Sequence, residues 1–235
     1  MAETSSLRRP FPRYAVIPLA LLICLHFTVY NGTKLINVLI PAVNVSLPID
    51  AAIPLVPEWV FIYELTFLFW AAGMIMVGSQ KEILCYKLLG CTVVAELICA
   101  VFFLFMPSYV VIPELEVDSL ASWMLAFTYQ MDVPTNCFPS MHCLLAYIVF
   151  RQSFYCDNVK PWMKARAGVI TVLVCLSTVF VKQHVVLDII GGLFCGELAM
   201  QWGMRSNVWK VFYKVNKKLM PKIWKDNELV FAEEK

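Results

Sequence analysis

Asp132-Val-Pro-Thr-Asn-Cys-Phe-Pro-Ser-Met-His142 gathers Asp, Asn, Ser and His into one short polar stretch, and an apolar run from Met141 to Phe154 begins where it ends. Proline-punctuated polar sequence giving way to sustained apolar sequence reads as the mouth of a membrane helix. A second polar cluster, Lys182-Gln-His184-Val-Val-Leu-Asp188, lies between two further apolar runs. Two of the three histidines therefore stand at helix ends in polar company.

Composition puts the chain in the same class. It has 235 residues, of which 60% are hydrophobic and only 15% charged. A soluble domain carries roughly a quarter charged residues, so an integral membrane protein is expected. The polar, basic opening is followed by an apolar run that resembles a signal peptide. No small-residue cleavage site closes that run, so it is expected to be kept as the first helix. Most of the nine cysteines lie inside apolar runs, where they read as small packing residues and not as a disulfide framework.

Six segments are apolar enough to span, or nearly to span, a bilayer: Tyr14–Tyr30, Trp59–Val77, Ile83–Met106, Met141–Phe154, Ala167–Val181 and Val185–Trp202. The fourth and fifth fall short of the roughly 20 residues a span needs, so their polar neighbours are expected to extend them. The fold expected is an all-α, six-transmembrane-helix bundle over residues 14–204. It is preceded by a cytoplasmic segment, 1–13, and followed by a basic cytoplasmic tail, 205–235. With the N-terminus inside, 17 of the 19 Lys and Arg residues fall on the cytoplasmic side, leaving Lys34 and Lys182 outside. That bias follows the positive-inside rule, so both termini are expected in the cytoplasm and both polar clusters on the extracytoplasmic face.

The connecting segments carry their own signals. Leu35–Pro57 is apolar but broken by four prolines, which suits a surface-lying or re-entrant segment. Ser119–Met131, with Trp123, Phe127 and Tyr129, reads as a short interfacial helix. In the tail, Val208, Phe212, Val215 and Leu219 recur at helical spacing among lysines, the pattern of an amphipathic helix on an anionic leaflet.

The two clusters offer a particular chemistry. His184 and Asp188 are four apart, so on a helix they share a face, and the carboxylate can fix the imidazole tautomer and leave one nitrogen nucleophilic. His142 would begin the fourth span, where free backbone N–H groups and the helix dipole favour an anion. Lys182 can neutralise phosphate oxygens. A nucleophile, its orienting acid, an anion cradle and a second imidazole for the leaving oxygen together suit phosphoryl transfer.

At Asn136-Cys-Phe-Pro-Ser-Met-His142 and Lys182-Gln-His184-Val-Val-Leu-Asp188-Ile-Ile-Gly-Gly192 the sequence resembles the type 2 phosphatidic-acid phosphatase superfamily. More closely it resembles the branch that includes inositol phosphorylceramide synthases and bacterial relatives. The resemblance implies that His184 attacks phosphorus to give a phosphohistidine, that Asp188 orients it, and that His142 protonates the leaving group. It also implies that Asn136, Ser140, the backbone of Met141 and Lys182 bind substrate, with no metal and no cofactor. The expected activity is a lipid phosphatase acting on lipid phosphate esters. Transfer of a phospho-headgroup between lipids is the alternative, and a non-catalytic scaffold or transporter is the non-enzyme reading. Partners are then the membrane and a lipid phosphate, with no nucleic acid; oligomeric state is left open. The sequence departs from the superfamily in two places. No Arg follows the third span, Phe105-Met-Pro-Ser-Tyr-Val-Val-Ile-Pro113, and Thr178 stands where an Arg often precedes the nucleophile.

Other readings of these residues are blander. His26, midway along the first span, suits packing or an inter-helix hydrogen bond. Glu64, Glu96 and Glu197 lie within apolar runs, where a carboxylate marks either function or a polar partner on another helix. Cys137, His142 and Cys143 lack the pair spacing of a zinc site. The Gly191-Gly192 pair suits close helix packing.

Overall fold

The computed structural model describes residues 12–36 and 39–223. The expected N-terminal segment up to residue 11 and the tail from residue 224 lie outside the described residues. Nine α-helices carry the fold among the described residues: α1 (Arg13–Phe27), α2 (Thr33–Ile36), α3 (Val60–Gly78), α4 (Glu82–Phe105), α5 (Leu120–Met131), α6 (Met141–Ser153), α7 (Pro161–Phe180), α8 (Val186–Arg205) and α9 (Trp209–Ile223). A π-turn, Thr28–Gly32, joins α1 to α2 without a break. Two-residue strands β1 (Val43–Asn44) and β2 (Ser108–Tyr109) pair in parallel.

Four helical stretches are long and apolar enough to cross a membrane: Arg13–Ile36, Pro57–Gly78, Glu82–Phe105 and Pro161–Phe180. Their outward faces carry exposed Phe27, Leu68, Ile75, Val101 and Val169. So much apolar surface is at home against lipid and not against water. This is a mostly helical protein with the character of a membrane protein.

The expectation of six spans meets α6 and α8 with a different result. The fourth apolar run does not grow into the polar stretch before it. Pro139 and the N-cap Ser140, whose Oγ accepts from the Cys143 N–H at 3.3 Å, stop the helix, and α6 keeps 13 residues. At about 1.5 Å per residue that is some 20 Å, short of a hydrocarbon core of about 30 Å. Helix α8 has 20 residues but carries Asp188 and Glu197 within them. Conversely, α7 starts at Pro161, earlier than the apolar run begins, because proline suits a first helical turn.

Short α6 is the hub. Met141 to Ala146 are all buried, and α3, α4, α7 and α8 pack around the helix. The carboxylates within apolar sequence all have partners in neighbouring helices. Arg151 on α6 donates to both oxygens of Glu197 on α8, from Nε at 2.7 Å and Nη2 at 3.2 Å. Thr128 on α5 donates to Glu64 on α3 at 2.7 Å. His26 on α1 meets Glu96 on α4, Nδ1 to Oε1, at 2.9 Å.

Of the two amphipathic segments, one settles differently from its sequence signal and the other forms as a short helix. The apolar face of α9 is covered by the protein itself: Phe212 and Met220 are buried, and Asn216 Nδ2 donates to the Tyr14 carbonyl at 2.6 Å. That face is therefore not free to lie on a leaflet, because α4 and α1 already occupy it. Helix α5 does form as a short helix, capped by Ser119, and leaves Trp123 and Phe127 more than half exposed.

The loops sort to two ends. Tyr14, Gln80, Asn158 and Asn216 are tied together at one, with Gln80 Nε2 donating to Asn158 Oδ1 at 2.7 Å. Lys34, Asp50, Asp132, His142 and Lys182 gather at the other.

Candidate active site

Both polar clusters arrive at this second end. Asn136, in the left-handed region at φ 58°, turns the chain after α5, and Asn tolerates that conformation better than most residues. Its Nδ2 donates to Thr33 Oγ1 at 2.8 Å, fixing the loop to α2. The chain then reaches Ser140, which caps α6. The N–H groups of Met141 and His142, at the first two helical positions, have no intrahelical partners.

The second cluster is a tight turn between α7 and α8. Thr178 O accepts from the N–H groups of Gln183 and His184, at 3.1 and 3.0 Å. Thr178 itself is fully buried and holds the turn through its carbonyl. His184 Nδ1 donates to Asp188 Oδ2 at 3.2 Å, and the same oxygen accepts from the Val185 N–H at 3.0 Å. Asp188 is completely buried, and its Oδ1 has no partner among the described residues.

The clusters are bolted together. Ser140 N–H donates to the Asp188 carbonyl at 3.1 Å. A Cβ on Gly192 would lie 2.7 Å from the Ser140 carbonyl oxygen, and one on Gly191 would lie 2.4 Å from the Phe138 ring. Only glycine at both positions lets α8 come this close, in agreement with the packing role expected of the pair.

The His142 and His184 rings lie edge to face with centroids 5.7 Å apart. His142 is stacked on Tyr63 at 4.4 Å and flanked by Trp70 at 5.3 Å, and its Nε2 is buried without a hydrogen-bond partner among the described residues. Between the imidazoles lies a slot of about 10 Å³, bordered also by Asp132, Asn136, Cys137 and Met141. That is room for about one water. On its other side His184 borders a cavity of about 290 Å³, walled by Leu47, Ile53, Val110 and Val179.

The structure thus brings together His142, His184, Asp188, Asn136, Ser140 and Met141. Lys182 stands apart from them in one respect. It borders the larger cavity, but its ammonium donates to the Asp50 and Ile53 carbonyls at 3.0 and 2.5 Å and so is not turned to the slot. Its backbone is also left-handed, at φ 56°.

Sequence reasoning gave no role to Asp132, although that residue opens the first cluster. It accepts hydrogen bonds from the hydroxyls of Tyr30 and Tyr63 and pairs with Lys34 at 3.4 Å. Burial pushes its pKa up, but the His142 imidazole, the Tyr30 hydroxyl and Lys34 outweigh burial and hold the carboxyl below its usual range. Asp50 was missed as well; it caps α8 by accepting from the Val186 N–H at 2.8 Å. Its only signal was a carboxylate between apolar, proline-rich segments. Cys137, His142 and Cys143 do not converge as ligands. Cys143 faces Thr178 at 3.7 Å, and the group that does converge is Cys137, His184 and Asp188.

No family model, curated protein or solved structure matches the chain.

Proposed function

We propose that the protein is an integral-membrane lipid phosphatase that works through a phosphohistidine on His184. The observation that carries this is the pairing at one end of the bundle: His184 held by buried Asp188, with His142 across a water-sized slot. The resemblance of the two motifs to the type 2 phosphatidic-acid phosphatase superfamily supports the same reading.

With Nδ1 held by Asp188, the Nε2 lone pair attacks phosphorus and the P–O bond to the lipid breaks. The leaving oxygen takes a proton from His142. Water then attacks the phosphohistidine, gives its proton back to His142, and phosphate departs. The α6 N-terminus, Asn136 and Ser140 receive the phosphoryl oxygens, and the apolar cavity beside His184 receives the lipid. Lys34, beside Asp132, supplies positive charge to this end, while the Lys182 ammonium stays with the Asp50 and Ile53 carbonyls. The slot's small size favours water as acceptor over a lipid alcohol.

In this proposal α1 with α2, α3, α4, α6, α7 and α8 make up the six membrane-crossing elements. The thinness of α6 is offset by its central position, sheathed by longer helices. Both termini are cytoplasmic and the site faces the extracytoplasmic side, as the distribution of Lys and Arg argues.

The test is phosphate release from a panel of lipid phosphates by purified protein in detergent, without divalent metal, comparing wild type with His184→Ala. Release that vanishes in the variant supports the proposal. Transfer of a labelled headgroup to an added lipid alcohol, without phosphate release, would replace water by an alcohol as acceptor. Release that survives His184→Ala, or no reaction of either kind, sinks it.

A further inference from the structure

We propose that Cys137, His184 and Asp188 form a binding site for a soft divalent cation such as Zn²⁺, and that the bound ion silences phosphoryl transfer. A thiolate, an imidazole and a carboxylate are the three side-chain donors that zinc takes. One donor atom from each of these residues lies within 4.8 Å of the others, and all three residues are buried.

The spacing fits one small ion. Two ligands each about 2.0–2.1 Å from a tetrahedral zinc stand about 3.3 Å apart. His184 Nδ1 and Asp188 Oδ2 are already separated by 3.2 Å. Asp188 Oδ1 supplies an independent sign of a missing partner. It is an acceptor on a fully buried carboxylate and has no donor among the described residues. The fourth position is provided for too, because Cys137 and His184 both border the water-sized slot. Three protein ligands and one water or anion complete the tetrahedron.

Binding replaces the hydrogen bond from His184 to Asp188 by two metal–ligand bonds. The Cys137 thiol proton leaves to solvent, the His184 proton passes from Nδ1 to Nε2 so that Nδ1 can ligate, and the ion takes up the carboxylate charge that had oriented the imidazole. His184 then no longer has the tautomer and basicity of a nucleophile. The silencing rests on the nucleophilic role of His184; the binding does not.

Co²⁺ alone, titrated into the purified full chain, gives a direct readout through thiolate-to-cobalt charge-transfer absorption. The expected result is one ion per chain, a charge-transfer band that Zn²⁺ abolishes by displacement, and no band in Cys137→Ser. The band persists in Cys143→Ser, whose thiol faces the other way. Asp188→Asn, which keeps size and shape, weakens binding by about tenfold or more, and it decides the matter should Cys137→Ser fail to fold. In parallel, Zn²⁺ at saturation suppresses phosphate release by wild type, a chelator restores it, and Cys137→Ser resists the metal. A missing band, or one unchanged in both Cys137→Ser and Asp188→Asn, overturns the site. A normal band with phosphate release indifferent to Zn²⁺ overturns the silencing. A normal band with no phosphate release from metal-free wild type supports the site and overturns the silencing together with the phosphatase proposal.

Discussion

The bundle contains two histidine–carboxylate pairs of similar geometry and very different surroundings. His184 meets Asp188 at 3.2 Å, and His26 meets Glu96 at 2.9 Å. The Trp70 ring stands 5.9 Å from His26 and 5.3 Å from His142, the imidazole that faces His184. The first pair has a second imidazole beside it, a helix N-terminus, a water-sized slot and an apolar cavity. The second bridges α1 and α4 against the main apolar cluster, within which Trp70 is packed. A carboxylate on an imidazole is therefore not a site by itself. Room for a reacting atom and groups to receive its charge distinguish the two.

The sharpest way to break the comparison is to disable each pair in turn. His184→Ala is expected to lower phosphate release on the order of 10⁴-fold or more, whereas His26→Ala leaves the rate of the folded fraction within a few-fold. Equal losses in the two variants would erase the distinction. His142→Gln is next, with a fall of about 10²–10⁴-fold in kcat, the usual range for a lost general acid. Unchanged kcat with a raised KM would reduce His142 to a binding group.

Glu96→Ala moves the contrast from rate to stability. It leaves His26 without its partner, and losing one side of a part-buried hydrogen bond costs about 1–3 kcal/mol. Unfolding in detergent should show that loss, with Glu96→Gln largely restoring it through the amide. If Glu96→Ala is as stable as wild type, the pair does not hold α1 to α4. Gly192→Ala pushes a methyl group into the Ser140 carbonyl, and overpacking of this kind costs about 1–3 kcal/mol. A lower kcat should accompany it, because Ser140 begins the helix that carries His142; a destabilised variant with full activity would uncouple the two.

The smallest effect belongs to Asp132. Its folded carboxyl titrates below its unfolded value, so its contribution is complete above the ordinary carboxylate range and disappears as pH falls through the depressed folded value. The difference in Tm between wild type and Asp132→Asn should therefore shrink on acidification. A difference that is constant with pH would exclude the linkage.

The residues of the reacting pair were legible because they are local. His184 and Asp188 lie one helical turn apart, and Ser140 and His142 sit at the mouth of an apolar run. Tyr63, Trp70, Lys34 and Asp50 were not, because each comes from a distant segment and nothing in their own neighbourhoods marks where they dock. Lys182 shows the limit from the other side: its charge and position were right for phosphate, yet two carbonyls from the proline-rich segment hold its ammonium. The helical class was plain from composition. The length of α6 was not, because a cap set by Pro139 and Ser140 outweighed the demand of a bilayer for a longer helix. Nor was the fate of α9, since an amphipathic face looks the same whether it meets lipid or protein.

The close seating of Gly191 on Phe138, and of Gly192 on Ser140, has a consequence for how such a chain can diverge. A larger residue at 191 demands a smaller one at 138, and no side chain fits at 192 unless the backbone at 140 shifts. The two motifs are thus inherited as one mechanical part. A lineage that alters either half alone passes through a protein whose imidazoles no longer face each other.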